Sequence, residues 1–201
     1  MSEYCIADGY KSRESVPHFS DVKNTDNWQD EVYSTAKEIA DEKGFTRILD
    51  IGTGSAFKLM KYFKDVDTLG LDLEPALSFI KNKYPNRKWQ ESDLEHPEKY
   101  GSFDMVICSD VVEHIMNPDD LMVFINALEW KVLVMSTPAR DILHKIHSFP
   151  IGGPPNNKWH VREWTVAEFN EYASQFFVIE KSFVGKKRTE RNHIVVARKK
   201  S

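Results

Sequence analysis

The sequence predicts an α/β fold with a doubly wound sheet of seven strands, mostly parallel and ending in an antiparallel hairpin. Three observations carry this. Short apolar runs alternate with stretches of helical period between residues 47 and 135. The first run ends in a tight glycine turn, Gly52-Thr-Gly54, followed by more helical sequence. The end of the chain holds two further β-rich runs joined by the charged turn GKKRTER.

Taken in order, residues 1–26 are polar and read as an irregular N-terminal cover. A helix is predicted from the N-cap Asp26, with Glu31 in the following turn. Trp28, Val32, Tyr33, Ala36, Ile39 and Ala40 share one face of it, and Gly44 closes it. Arg47–Ile51 reads as the first strand and Phe57–Phe63 as a helix. Val66–Leu73 and Pro75–Lys83 repeat the pattern, the second helix starting on proline. Arg87–Gln90 is a third strand and Phe103–Cys108 a fourth. The helix Pro118–Trp130 leads into a fifth strand, Lys131–Met135. Alternation of this kind requires right-handed crossovers, with helices on both faces of the sheet. Residues 137–165 are rich in proline and glycine and read as a lid or substrate loop. His144 and His147 lie three apart on a possible helix within it. A helix at Val166–Gln175 and two strands, Phe176–Phe183 and Asn192–Ala197, complete a single domain, 1–201. Its cofactor-binding core is residues 27–136, and residues 166–201 supply the last helix and the hairpin. The class is Rossmann-like.

Composition excludes several functions. The chain is 41% apolar, which rules out wholesale disorder. It has no run near the roughly 20 apolar residues of a membrane helix, and Met1–Ser15 shows no apolar core of a signal peptide. Cys5 and Cys108 are far apart, which excludes a cysteine metal site and fits a reducing cytoplasm. The net charge of −4 gives no reason to expect nucleic acid as the main partner. Residues 185–201 carry seven basic residues and one acid, a net of +6, leaving −10 on the rest. A solvated sheet edge accounts for that tail.

The segment Ile48–Ala56 has the strand, glycine turn and helix order that lays a ligand against backbone amides. Asp72 falls 20 residues after Gly52, at a strand end, where an acid accepts from the ribose hydroxyls of an adenosine. Phe57 occupies the place of the third glycine in a pyrophosphate fingerprint, and no ATP phosphate loop is present. Asp50, two residues before Gly52, would repel a pyrophosphate and favour an ammonium and a sulfonium. The implied ligand is an adenosine with a cationic tail.

Asp50-Ile-Gly-Thr-Gly-Ser-Ala resembles the first motif of class I S-adenosylmethionine-dependent methyltransferases, with Ala56 in place of its third glycine. Leu69-Gly-Leu-Asp72, Glu91-Ser-Asp93-Leu94 and Phe103 to Ile115 resemble that family's later motifs, in the same order. The closer resemblance is to its small-molecule branch, including enzymes of quinone biosynthesis and bacterial glycan pathways, through Val112-Glu-His-Ile, Ser136-Thr-Pro-Ala-Arg140, Gly153-Pro-Pro and His160-Val-Arg-Glu-Trp164. The resemblance implies S-adenosyl-L-methionine as cofactor and a small metabolite or sugar as acceptor. It also implies that Gly52, Thr53 and Gly54 line the methionine portion, with Asp50 orienting its amino group. Asp72 and Leu73 would hold the adenosine, and the Ser109 carbonyl would meet the ammonium. Asp93 would accept from the adenine amino group beside Leu94, or else cap a helix over 94–100.

Methyl transfer rests on in-line proximity, and a hydroxyl acceptor also needs a base near neutrality. His114, after the fourth strand, and His160, on the lid, are the candidates. Each also has a structural reading, His114 under the cofactor loop and His160 as a lid cap. Asp110 and Glu113 fit either a pocket rim or a metal site, and no metal is assigned. Three other functions remain open: a dinucleotide-dependent oxidoreductase, a non-catalytic cofactor-binding module, and an RNA methyltransferase using the basic hairpin.

Overall fold

A computed structural model describes residues 3–17, 19–22, 28–186 and 191–200. Seven strands form one sheet in the order β3-β2-β1-β4-β5-β7-β6. They are β1 (Arg47–Ile51), β2 (Asp67–Asp72), β3 (Lys88–Glu91), β4 (Met105–Ser109), β5 (Val132–Pro138), β6 (Phe177–Val184) and β7 (Asn192–Lys199). The first five pair in parallel, whereas β7 runs antiparallel to both β5 and β6. Among the described residues six α-helices accompany the sheet: α1 (Asp30–Lys43), α2 (Phe57–Phe63), α3 (Ala76–Lys83), α4 (Pro118–Ala127), α5 (Arg140–His147) and α6 (Val166–Phe176).

The central strands are buried on both faces, which is why β1, β4 and β5 read as near-continuous apolar runs. Side-chain alternation divides them between two cores. Leu49, Ile51, Val106 and Leu133 pack with Leu121 and Phe124 of α4 and Phe169 of α6. Ile48, Met105, Ile107 and Val134 pack with Val32 and Ala36 of α1 and Leu59 and Phe63 of α2.

Several boundaries differ from the sequence expectation. The expected N-cap Asp26 lies outside the described residues, and α1 starts at Asp30 behind a left-handed Gln29. Trp28 therefore precedes the helix and is 48% exposed rather than part of the core. Strand β5 continues to Pro138, into the expected lid, because β7 pairs with it as far as Asn192. The lid itself contains α5. Residues 94–100 form only a short 3-10 turn, Pro97–Lys99.

The lid is fastened by buried polar contacts. Arg140 is buried, and its Nη2 meets Glu168 Oε2 at 2.6 Å. Glu168 also completes a capping box with Thr165 at the start of α6. Trp164 is fully buried and donates from Nε1 to the Tyr4 carbonyl at 3.0 Å, tying the N-terminal segment to the lid. Gly153 is a position only glycine fits: its φ is +70°, and a Cβ there would lie 2.3 Å from the Lys11 carbonyl.

His193 on β7 is buried, and its Nε2 pairs with Ser182 Oγ at 2.7 Å. Burial pushes its pKa from 6.5 down to about 4. The unfolded chain thus binds the extra proton between those values. The stability this neutral histidine contributes is complete above pH 6.5 and lost as pH falls to 4, on the order of 3 kcal/mol. Denaturant unfolding between pH 7 and 4.5 should show this loss, and His193→Gln should flatten it.

Candidate active site

The glycine turn follows from the pairing of β1 with its neighbours. Gly52 and Thr53 both donate backbone N–H to the Leu71 carbonyl, at 2.9 and 3.1 Å, bending the chain over the end of β2. Gly52 has φ +70°, and a Cβ on it would lie 2.4 Å from Val111 Cγ2. Ala56 is also left-handed, with φ 56°. A small residue is needed at the head of α2, and alanine tolerates that conformation at some strain.

Asp50 is fully buried, and its carboxylate accepts from Tyr33 Oη at 3.0 Å and from Thr53 Oγ1 at 2.6 Å. Burial raises its pKa to about 7 against the lowering effect of those bonds. Asp72 Oδ2 accepts from Gly54 N at 2.6 Å, and Oδ1 from Leu73 N at 2.8 Å. The carboxylate therefore stands at the lip of the turn.

A cavity of about 440 Å³ lies beyond the carboxyl ends of β1, β2 and β4. Gly52, Thr53, Gly54, Asp72, Leu73 and Ser109 line it. Ser92 and Leu94 form its far rim, and Pro17 and Phe19 of the N-terminal segment cover it. The Ser109 carbonyl accepts from Gln29 Nε2 at 3.3 Å. Two residues depart from the sequence reading. The Asp93 carboxylate stays outside this cavity, paired with Lys99 and His96, whose bonds hold its pKa down to about 2. Lys58, a position the sequence reading passed over, is 5% exposed and lines the cavity. Its Nζ has no hydrogen-bond partner among the described residues. A lysine at the second position of a helix reads as solvent-facing, so local sequence carries no signal for this role.

A second cavity, of about 720 Å³, opens between the lid and the ends of β4 and β5. Phe19, Trp28, Phe149 and Trp159 supply aromatic walls, and Asn156 and Lys158 polar edges. Asp110 and His114 line both cavities, so the two meet there. His114 stacks on Phe19, and its ring lies 4.7 Å from the ring of His160, at 90°. The loop after β4 and the lid thus bring both sequence-predicted histidines to the seam. Glu113 is fully buried beside them and Asp110 half-buried. Burial raises the pKa of each, and the neighbouring Asp110 charge pushes Glu113 further. His147 reaches the outer wall of this cavity, but His144 does not line it.

A methyltransferase-domain family model matches residues 19–180, and the chain belongs to that family. By fold and family it is a class I S-adenosylmethionine-dependent methyltransferase, an enzyme. Comparison with curated protein sequences gives no match. Among solved structures, the methyltransferase domain of a bacterial Hen1 superposes with a TM-score of 0.67 at 16% identity, over 89% of this chain and all of that one. Magnesium protoporphyrin IX methyltransferase of Synechocystis PCC 6803, solved with bound SAH, gives 0.64 at 17% identity, over 86% and 84%. The N-terminal domain of EvdMO1, solved with SAH and D-fucose, gives 0.55 at 18%, over 84% and 83%.

Gly52→Ala should destabilise the protein by about 1–3 kcal/mol, through the left-handed φ and the clash with Val111. Urea unfolding measures the loss, and calorimetry with S-adenosylhomocysteine should show weaker binding alongside it.

Proposed function

We propose that this methyltransferase acts on an oxygen of a small metabolite or saccharide held in the aromatic cavity beneath the lid. The observation that carries the reading is the 720 Å³ cavity itself. It lies within the size range of small-molecule sites, about 300–1,000 Å³, and meets the cofactor cavity at Asp110 and His114. Aromatic faces suit a sugar or planar ring, and asparagine and lysine at the rim suit its hydroxyls.

The residues around the smaller cavity fit S-adenosylmethionine, which when bound supplies a methyl group on a sulfonium. The unpartnered Lys58 Nζ is matched by the carboxylate of the methionine portion. Asp50 supplies negative charge for the ammonium, and Asp72 stands where ribose hydroxyls would donate. Ser92 and Leu94 take the adenine edge, with Asp93 held back by Lys99. Phe19 and the lid exclude water. At the seam, Asp110, Glu113, His114 and His160 form the polar cluster available to the acceptor's proton. No helix among the described residues is long and apolar enough to cross a membrane. The two unpaired cysteines, both buried, fit a reducing cytoplasm.

Two measurements test this. An ammonium partner favours ionised Asp50, so below pH 7 binding must expel a proton. Calorimetric affinity for S-adenosylhomocysteine should fall by up to about tenfold per pH unit there, with no such slope above pH 7. A pH-independent affinity removes Asp50 from the site. For the acceptor, labelled methyl transfer should be screened against saccharides, small hydroxylated metabolites and RNA. Turnover of a small hydroxyl compound supports the reading, whereas transfer to RNA alone, with steep salt dependence, overturns it.

A further inference from the structure

Three ligating side chains converge where the two cavities meet. One ligand atom from each of Glu113, His114 and His160 lies within 4.8 Å of the others. The atoms around them are arranged as the outer partners of a metal site. His114 Nδ1 lies 2.9 Å from the Trp159 carbonyl, and a carbonyl only accepts, so Nδ1 carries the proton. His160 Nδ1 lies 2.5 Å from Glu163 Oε1, a carboxylate that likewise fixes the proton there. In both rings Nε2 is then the lone-pair nitrogen, oriented by a carbonyl or carboxylate behind it, as in metal-binding histidines. His160 Nε2 now accepts from Asn157 Nδ2 at 2.9 Å, an amide a cation would replace. Glu113 is 0% exposed. Its Oε2 accepts from Thr137 Oγ1 at 3.1 Å, but Oε1, equally buried, has no hydrogen-bond partner among the described residues. A buried carboxylate oxygen left unpaired is costly unless something positive completes it.

The geometry points to a binding site for one divalent first-row transition cation, held by Glu113, His114 and His160 at the junction of the cofactor and acceptor cavities. Two imidazoles and one carboxylate suit manganese, iron or zinc better than magnesium, which prefers an all-oxygen shell. Bonds of about 2.1 Å would draw the three ligand atoms closer together by up to roughly 1.4 Å. The role of the ion rests on the small-molecule hydroxyl reading above: it would coordinate the acceptor oxygen and lower its pKa. The hydroxyl proton would leave to solvent, the O–CH3 bond would form as the S–CH3 bond breaks, and a neutral thioether would remain. His114 and His160 would then act as ligands rather than as general bases.

The test uses tag-free, full-length protein stripped with chelator and dialysed. Titration calorimetry with MnCl2 and ZnCl2 should show one equivalent bound, with MgCl2 much weaker. His114→Ala and His160→Ala should each weaken manganese binding by at least about tenfold. S-adenosylhomocysteine, titrated in parallel, reads the cofactor site separately and should bind His160→Ala, which lies outside the cofactor cavity, normally. Should a buried variant fail to fold, His114→Gln at the partly exposed position, and anomalous diffraction from zinc-soaked wild-type crystals, read the same site. A zinc peak between the three side chains supports it. The proposal falls if wild-type protein binds S-adenosylhomocysteine but neither manganese nor zinc. It falls equally if metal binding survives in the histidine variants, or if the zinc peak lies elsewhere.

Discussion

The site depends on the reversal of strand order between β1 and β4. Both strands run parallel and pair directly, Ile48 with Met105 through Ile51 with Cys108. The helices that follow them leave on opposite faces: α2 packs in the core of Ile48 and Ile107, α4 in that of Leu49 and Val106. The chain therefore parts beyond the carboxyl ends of these two strands and leaves a crevice there. The left-handed Gly52, set against Val111, lets the two departing loops approach without filling that crevice. Asp72, Ser109 and Asp110 line it from strand ends, and Asp50 is buried behind the turn, bonded to Tyr33 and Thr53.

Charge is concentrated in this crevice at a cost to the folded state. Asp50 and Glu113 are buried and Asp110 half-buried, and desolvation raises the pKa of each. An acid with a raised folded pKa weighs against folding as pH rises through that value. The surrounding structure offsets this by hydrogen bonding: Tyr33 and Thr53 on Asp50, Ser136 and Asn192 on Asp110, and Thr137 on Glu113. What hydrogen bonding leaves unmatched, the Lys58 ammonium and one Glu113 oxygen, lies along cavity walls, where a ligand can match it. The N-terminal segment and the lid close over this charge together. Arg13 donates to the lid carbonyl of Pro155 at 2.6 Å, and Arg140 lies 4.2 Å from the centre of the Tyr10 ring.

The fold was legible because its signals are local. Apolar runs of strand length, helices opening on proline or closing on glycine, and turn glycines each read within a few residues. The helix Phe57–Phe63 has the bounds that the sequence pattern gives it. The structure departs from the sequence reading where a particular contact, near or distant, overrides the local pattern. Trp28 fits the period of α1 on paper, but the left-handed Gln29 starts the helix after it. The extent of β5 depends on pairing with β7, about sixty residues away. Asp93 has the local setting of an adenine contact, yet Lys99 and His96 claim its carboxylate. Lys58 reads as the solvent side of a helix, and only the packed fold buries it.

By itself the sequence determined the strand and helix order, the glycine turn, and the acid at the end of β2. Those features follow from backbone preferences and from the period of apolar residues, which act over one or two turns of chain. Tertiary structure alone decided which groups face one another across the crevice. Glu113 and His114 follow β4, whereas His160 comes from the lid, and the fastening of Arg140 and Trp164 brings them together. Burial then decides what each carboxylate can do, because the cost of a charge depends on the water and partners around it, which neighbours in sequence do not fix.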